Sequence, residues 1–254
     1  MADPDTDTGA KTPRERYRAQ VRAEIKERAW EQIATAGASA LSLNAIAKQM
    51  GMSGPALYRY FAGRDELITE LIRDAYRSLA DTFRAASASA PGAGLAELAR
   101  ALRGWALEDP QRYFLIYGTP VPGYHAPDDI TAIAGENMAM LLDAAAAPAP
   151  ESPATSAETS AETTTATSAA TSAETTTATS AATSATTALD TDLEGLGRRW
   201  ADGHPAPAAH LHRALAFWTR LHGILSLELA GHFNGMGFDP GLLYAAELDD
   251  LLAH

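Results

Sequence analysis

Apolar residues recur at three- and four-residue steps through most of the chain, which is the spacing of one face of an α-helix. This spacing covers the stretches 13–36, 43–50, 65–86, 95–108, 128–142, 208–232 and 240–252. The first stretch steps by four through Tyr17, Val21, Ile25, Ala29 and Ile33. No stretch alternates apolar and polar residues for long, as a half-buried strand would. The sequence therefore predicts an all-α fold.

Two short helical runs flank a glycine between Leu41 and Arg64. Gly51 interrupts the first run, as a glycine does at the C-terminal end of a helix. Ser53 can cap the second run, and Pro55 falls in its first turn, where the missing N–H costs nothing. Two short helices joined by a tight glycine-containing turn predict a helix-turn-helix, whose second helix enters the major groove of DNA.

Composition changes sharply after the first half of the chain. Residues 148–188 are Ala, Ser, Thr, Glu and Pro, and the sequence SAETTTATSAAT occurs at 160–171 and again at 172–183. Without large apolar side chains this stretch cannot bury a core, so it is predicted to be a flexible insertion. The predicted organisation is a disordered tail (1–12), a helix-turn-helix domain (13–64), a connecting helix with the first part of a helical regulatory domain (65–147), the insertion (148–188) and C-terminal helices (189–254).

Charge is distributed unevenly along the chain. The formal net charge is −12, yet Lys11 to Arg64 contains ten basic and four acidic residues, a local net charge of +6. A basic region in an otherwise acidic protein predicts a surface that binds a polyanion. The predicted partner is therefore double-stranded DNA.

Several classes of chemistry are not expected. The chain has no cysteine, which excludes disulfides and thiolate metal sites. His210 and His212 are two residues apart and would not share a helical face, so no metal site is predicted. We find no catalytic constellation and no cofactor motif, and the GMSGP sequence at 51–55 lacks the spacing of a nucleophile elbow. No signal peptide or membrane-spanning run is found, which predicts a soluble cytoplasmic protein.

Residues 18–64 resemble the DNA-binding domain of the TetR/AcrR transcriptional regulators. LYRYFAGRDEL at 57–67 is the most specific part of the match. The resemblance implies a sequence-specific regulator, with base edges approached by Gly54, Pro55, Ala56 and Arg59. It implies phosphate contacts from Ser42, Tyr58, Tyr60 and Arg64. Asn44 would touch a base or a phosphate, and Ser53 opens the recognition helix. Ordinary packing is the alternative for Tyr58 and Tyr60.

A second resemblance covers the C-terminal part. WTRLHGILSLELAGHF at 218–233 and FLIYGTPVPGY at 114–124 are similar to a TetR subgroup marked by tryptophan, histidine and glycine, here Trp218, His222 and Gly223. In this family the last two helices form a four-helix bundle with a second subunit. The resemblance therefore implies a homodimer, with an interface predicted at Leu221, Leu225, Leu229 and Leu243. A hydrogen-bonding role in the core or interface is predicted for His222.

Aromatic and methionine side chains in the middle of the chain could line a small-molecule pocket, as such domains often do in this family. The residues are Trp105, Tyr113, Phe114, Tyr117, Met138, Phe217 and Trp218. A packed helical core would use the same residue types. The predicted function is a homodimeric repressor released from an inverted-repeat operator by a small-molecule effector. The alternative is a helical ligand-binding or sequestering protein with a vestigial DNA-binding domain.

Overall fold

The structure is a computed structural model that describes residues 12–89, 94–146, 188–189, 191–193 and 204–253. The helices are α1 (Pro13–Ala36), α2 (Leu43–Gln49), α3 (Gly54–Leu57), α4 (Arg64–Ser89), α5 (Leu95–Glu108), α6 (Pro110–Tyr117), α7 (Asp128–Ala146), α8 (Ala208–Leu229) and α9 (Pro240–Ala253). The described ranges contain no strand, and the all-α prediction is confirmed. The predicted tail and insertion lie outside the described residues, except for Thr12 and Ala188.

Local chemistry sets the ends of the first helices. At the start of α1, Thr12 Oγ1 accepts from the Glu15 N–H at 3.3 Å, and the Glu15 carboxylate accepts from the Thr12 N–H at 2.8 Å. These reciprocal bonds satisfy two backbone donors that no helical carbonyl can reach. Gly37, at φ 77°, ends the helix in a conformation that costs glycine little. Asp109 starts α6 by accepting from the N–H groups of Gln111 and Arg112.

The first core, called here the helix-turn-helix core, joins α1, α2, α3 and the first half of α4. Its buried members are apolar: Val21, Ile25, Ala29, Ile33, Leu41, Leu43, Ile46, Ala47, Leu57, Phe61, Leu67, Ile68, Leu71 and Ile72. Val121 and Ile130 belong to the same core, although they lie far along the chain. Tyr17 does not belong to it, because 64% of its surface is exposed. The prediction that Tyr17 lies on the inner face of α1 is therefore wrong.

The second core, called here the regulatory core, joins the second half of α4 to α5, α6, α7, α8 and α9. Leu79 and Phe83 of α4, Trp105 of α5 and Phe217 of α8 are among its buried residues. Because α4 contributes to both cores, it connects the helix-turn-helix to the rest of the described protein. No helix in the described ranges is long and apolar enough to cross a membrane.

Candidate DNA-binding surface and regulatory core

Residues 53–61, called here the recognition segment, have exposed side chains on one side and buried apolar side chains on the other. Leu57 and Phe61 are fully buried, whereas Ser53, Pro55, Tyr58 and Arg59 are exposed. The α-helix itself is limited to α3, and the chain continues through turns to Phe61, which is shorter than the sequence predicts. The Leu57 carbonyl accepts from the N–H groups of Tyr60 and Phe61, so the turn stays compact.

Two arginines of α1 bond to carbonyls at the end of the recognition segment. Arg18 Nη2 donates to the Arg59 carbonyl at 3.0 Å, and Arg22 donates to the Tyr60 carbonyl. Arg22 also lies 4.1 Å from the centroid of the Phe61 ring. Side-chain donors thus satisfy carbonyls that a longer helix would bond to its own N–H groups. These arginines fix the position of the exposed side chains.

Five basic residues between Arg14 and Arg59 have no acidic partner within the described part of the chain. They are Arg14, Arg16, Arg18, Lys48 and Arg59. Most other described arginines are paired, as Arg73 is with Asp129. This cluster of unpaired cations matches the basic region that the sequence predicts and would suit a polyanion.

Asn44 lies beside the start of the recognition segment. Its side chain is exposed, and its Oδ1 would be 3.5 Å from a Cβ atom added to Gly54. The structure therefore brings Asn44 and Gly54 together at the same surface. Ser53 makes no side-chain bond to α3, so its predicted capping role is not seen. Its hydroxyl remains exposed beside Gly54.

Ser42 and Arg64 have structural partners that the sequence did not reveal. Ser42 Oγ accepts from the Ala45 N–H at 3.4 Å, which caps α2. Arg64 Nη2 donates to the carbonyls of Ala38 and Ser39 at 2.9 and 3.3 Å. Arg64 therefore stabilises the turn that leads into α2. The sequence predicted only a contact between Arg64 and a DNA phosphate.

The regulatory core contains a buried polar cluster. Tyr113 Oη lies 3.0 Å from His222 Nδ1 and 2.9 Å from Ser226 Oγ, and it donates to the His222 carbonyl at 3.2 Å. Burial lowers the pKa of His222 from 6.5 to about 3, so the imidazole is neutral at physiological pH. The prediction that His222 is a hydrogen-bonding group in the core is confirmed.

Aromatic rings surround this cluster. The Tyr117 ring centroid lies 4.4 Å from that of His222 and 5.2 Å from that of Trp218. Tyr117 Oη and His222 Nε2 are buried, and neither has a hydrogen-bond partner in the described part of the chain. Burial also raises the pKa of Tyr117, so its hydroxyl keeps its proton. Two polar atoms with unused bonding capacity therefore lie among the predicted pocket residues.

The remaining predicted pocket residues pack in the same core. Phe114 contacts the edge of Tyr113 at 5.7 Å between centroids, whereas Phe217 and Met138 are buried with it. Trp105 instead donates from Nε1 to Ser78 Oγ at 3.1 Å. His222 was missing from the predicted pocket set, although its spacing of four from Trp218 places both on one helical face.

The predicted interface residues lie deeper than expected. Leu221 and Leu225 are fully buried within the single subunit, which leaves no surface for a partner. Their assignment to a dimer interface is therefore wrong, because both side chains are enclosed in the regulatory core. Leu229 and Leu243 are partly buried against the same core. The exposed leucines of α8 and α9 are Leu227 and Leu242, at 44% and 70%.

Comparison with known proteins identifies the family from both ends of the chain. Residues 25–71 match the profile described as bacterial regulatory proteins of the tetR family. Residues 95–251 match the profile described as the tetracyclin repressor-like C-terminal domain. The second match alone covers more than half of the chain.

Relatives and solved structures agree with these profiles. The chain is 34% identical over 242 residues to HTH-type transcriptional regulators Mb1846 of Mycobacterium bovis and Rv1816 of Mycobacterium tuberculosis, covering 93% of this chain and 92% of each relative. It is 63% identical to a crystal structure described as that of a regulatory protein, SCO4313, with a TM-score of 0.76 over 96% of this chain and all of that one. A protein of unknown function from Rhodococcus sp. RHA1, 18% identical with a TM-score of 0.58 over 98% of both chains, shares the fold. The chain belongs to the TetR family of DNA-binding transcriptional regulators.

Proposed function

We propose that this regulator is a homodimeric repressor that a small-molecule effector releases from an inverted-repeat operator. The observation that carries the DNA-binding part is the exposure of Tyr58 and Arg59 on a segment anchored by Leu57 and Phe61. An exposed arginine without an acidic partner is free to bind a base or a phosphate. The rigid anchors underneath would hold it in position.

Arg59 and Asn44 are proposed to read bases. Among the exposed side chains near the recognition segment, these two can form the bidentate hydrogen bonds that distinguish guanine and adenine in the major groove. Gly54 and Ala56 are too small for such bonds, so they would permit close approach of the backbone to the DNA. Tyr58 and Ser42 are proposed as phosphate contacts, which position the protein without reading sequence.

The dimer interface is proposed on the outward faces of α8 and α9. Leu227 and Leu242 are exposed there, and Gly223 has open space where a Cβ atom would be. A second copy of α8 could therefore approach closely at Gly223. Two-fold pairing would place two recognition segments in successive major grooves, which predicts half-sites about one helical turn, or about 34–36 Å, apart.

The effector is proposed to bind at the aromatic rings around Tyr117 and His222. Buried polar atoms normally have partners, so the free capacity of Tyr117 Oη and His222 Nε2 favours a ligand with a hydrogen-bonding group. An apolar body would suit the surrounding rings of Tyr113 and Trp218.

Helix α6 supports a route from this site to the DNA-binding surface. Tyr113 and Tyr117 lie in the regulatory core, whereas Leu115 of the same helix packs against the helix-turn-helix core. Val121, just beyond α6, is also buried in the helix-turn-helix core. A ligand that shifts α6 would therefore move both cores. It can weaken DNA binding only by its preference for the shifted state, typically about 1–3 kcal/mol.

DNA binding is tested by a gel shift with DNA from around the protein's own gene at a stated salt concentration. Replacing Arg59 with Ala should cost about 1–3 kcal/mol on the bound site and relax preference at one base position. Tyr58→Phe should instead weaken binding to all sequences alike. A wild-type protein that shifts no fragment and shows no preference over competitor DNA would contradict the proposal.

The interface is tested by sedimentation of Leu227→Glu. We expect monomers with a retained helical fold, because the charge would be desolvated between subunits but exposed within one. Leu107→Glu is the matched control, since Leu107 is similarly exposed on α5. A dimeric Leu227→Glu protein would place the interface elsewhere.

A further inference from the structure

The first two turns of α1 project beyond the helix-turn-helix core. Every side chain from Thr12 to Gln20 is exposed, and Val21 is the first buried residue of the helix. We call residues 12–20 the α1 arm. A short helical segment without packing is marginally stable in water, so the capping box at Thr12 and continuity with the packed part of α1 hold it. The side chains of the α1 arm therefore lie on the protein surface, and none is buried in either core.

The surface of the α1 arm is basic. Arg14, Arg16 and Arg18 have no carboxylate partner in the described part of the chain. Glu15, the acidic residue of the arm, instead has its carboxylate bonded to the N–H and hydroxyl of Thr12. Its negative charge is thus held at the start of the helix, where the helix dipole favours it. Cations remain along the rest of the arm.

The α1 arm adjoins the recognition segment directly. Arg18 bonds to the Arg59 carbonyl, and its guanidinium carbon lies 5.8 Å from the centroid of the Tyr60 ring. Arg14 lies one helical turn beyond Arg18 on the same face, a step of about 6 Å along the axis. Tyr17, at three residues from Arg14, is a neighbour on that surface. The basic surface therefore continues from the recognition segment outward along α1.

We infer that the α1 arm is a second DNA-contacting surface, which binds the phosphodiester backbone beside the bases approached by the recognition segment. Arg14 would supply a charge, and Tyr17 a hydroxyl donor, to phosphate oxygens. Arg18 links the two surfaces, so the arm and the recognition segment would contact DNA as one rigid unit. This inference rests on the proposed DNA binding. It means that the arm increases the affinity for DNA of any sequence.

The experiment uses salt dependence, which needs no knowledge of the operator. Binding of the full-length protein to a fluorescent mixed-sequence duplex is measured by anisotropy from about 50 to 200 mM salt. Losing one phosphate contact should reduce the slope of log K against log salt by about 0.9 and weaken binding about five- to tenfold at low salt. We expect this result for Arg14→Ala, and a smaller loss without a change of slope for Tyr17→Phe.

Arg77→Ala is the matched control. Arg77 is an exposed arginine of α4 without an acidic partner in the described ranges, and it lies about 20 Å along that helix from Arg64. The control removes the same net charge away from the arm, and circular dichroism verifies that each variant keeps its helices. Equal slopes for Arg14→Ala and Arg77→Ala would overturn the inference.

Failure of the arm can be distinguished from failure of the proposed function. If Arg59→Ala weakens binding in the gel shift while Arg14→Ala leaves the salt slope unchanged, the recognition segment binds DNA and the arm does not. If the wild-type protein binds no duplex at any salt concentration in the series, both proposals fail together. A reduced slope for Arg14→Ala alone supports the arm.

Discussion

The two cores of this protein differ in what they bury. The helix-turn-helix core is built from apolar side chains such as Ile25, Leu57 and Phe61. The regulatory core also buries the Tyr113 hydroxyl and the His222 imidazole, and His222 Nε2 has no partner among the described residues. A buried polar atom without a partner costs about 1–3 kcal/mol. His222 is thus a polar residue buried in the regulatory core, at the place where the effector is proposed to bind.

The largest effect on stability is expected when one buried phenylalanine ring is removed from each core. Phe61→Ala and Phe83→Ala each remove a fully buried ring, one from each core, and each should lower the free energy of unfolding by about 3–5 kcal/mol. Hydrogen exchange should accelerate first in α2 for Phe61→Ala and first in α5 for Phe83→Ala. Equal acceleration of both helices in both variants would show that the cores unfold as one unit.

The second effect depends on pH and concerns His222. Burial lowers its pKa in the folded protein to about 3, against 6.5 ordinarily, so the unfolded chain binds the proton first as pH falls. The contribution of neutral His222 to the free energy of unfolding is fully present above about pH 6.5 and declines as the pH falls toward 3. Between pH 7 and pH 5 the free energy of unfolding should fall by about 2 kcal/mol because of this group. Urea denaturation at both pH values should show this loss in the wild type.

His222→Asn is the control for that measurement. Carboxylates titrate equally in both proteins, so the difference between their pH dependences isolates the imidazole. The variant should lack the extra loss of about 2 kcal/mol between pH 7 and pH 5. Identical pH dependences would contradict a neutral, buried His222.

A smaller effect is expected for Tyr113→Phe. The change keeps the ring but removes the hydroxyl that contacts His222 and Ser226, which should cost about 1–2 kcal/mol in denaturant unfolding. Tyr76→Phe is a useful comparison, since Tyr76 is a half-buried tyrosine whose ring meets Tyr117 at 6.1 Å. An unchanged stability for Tyr113→Phe would show that the polar cluster adds nothing to the regulatory core.

The smallest effect on global stability is expected for Thr12→Ala. Loss of this cap should cost about 1 kcal/mol locally and fray the α1 arm. Because the arm has no buried residue, the midpoint of global unfolding should stay nearly constant. Hydrogen exchange at residues 16–19 reports the fraying directly, and a large shift of the midpoint would show that the arm supports the helix-turn-helix core.

The helices could be predicted from sequence because their signals are local. Apolar spacing located α1, α4 and α5, and Gly37 ends α1 where a glycine is expected. The same spacing misplaced Tyr17, since periodicity continues along a helix after its packing partners end. It also misplaced Leu225, because a period of 3.6 identifies an apolar face but not whether that face meets its own subunit or another.

The polar contacts could not be predicted because they join distant parts of the chain. Tyr113 and His222 are separated by 109 residues, so no local pattern connects the hydroxyl to the imidazole. Arg64 likewise bonds to the carbonyls of Ala38 and Ser39, which become neighbours only after folding. The bonds from Arg18 and Arg22 of α1 to carbonyls of the recognition segment likewise join residues about 40 positions apart, so no local pattern in the sequence indicates them.

The burial of Val121 and Ile130 in the helix-turn-helix core matters for anyone building chimeric regulators. A fusion that cuts this chain at the first residue of α4 would transplant the recognition segment without two side chains that are buried in the same core. A foreign regulatory domain would leave a cavity there or insert a residue of the wrong size. A transferable DNA-binding module would therefore have to include α4 and a grafted copy of the α6–α7 connection and the first turn of α7, which together carry both apolar residues.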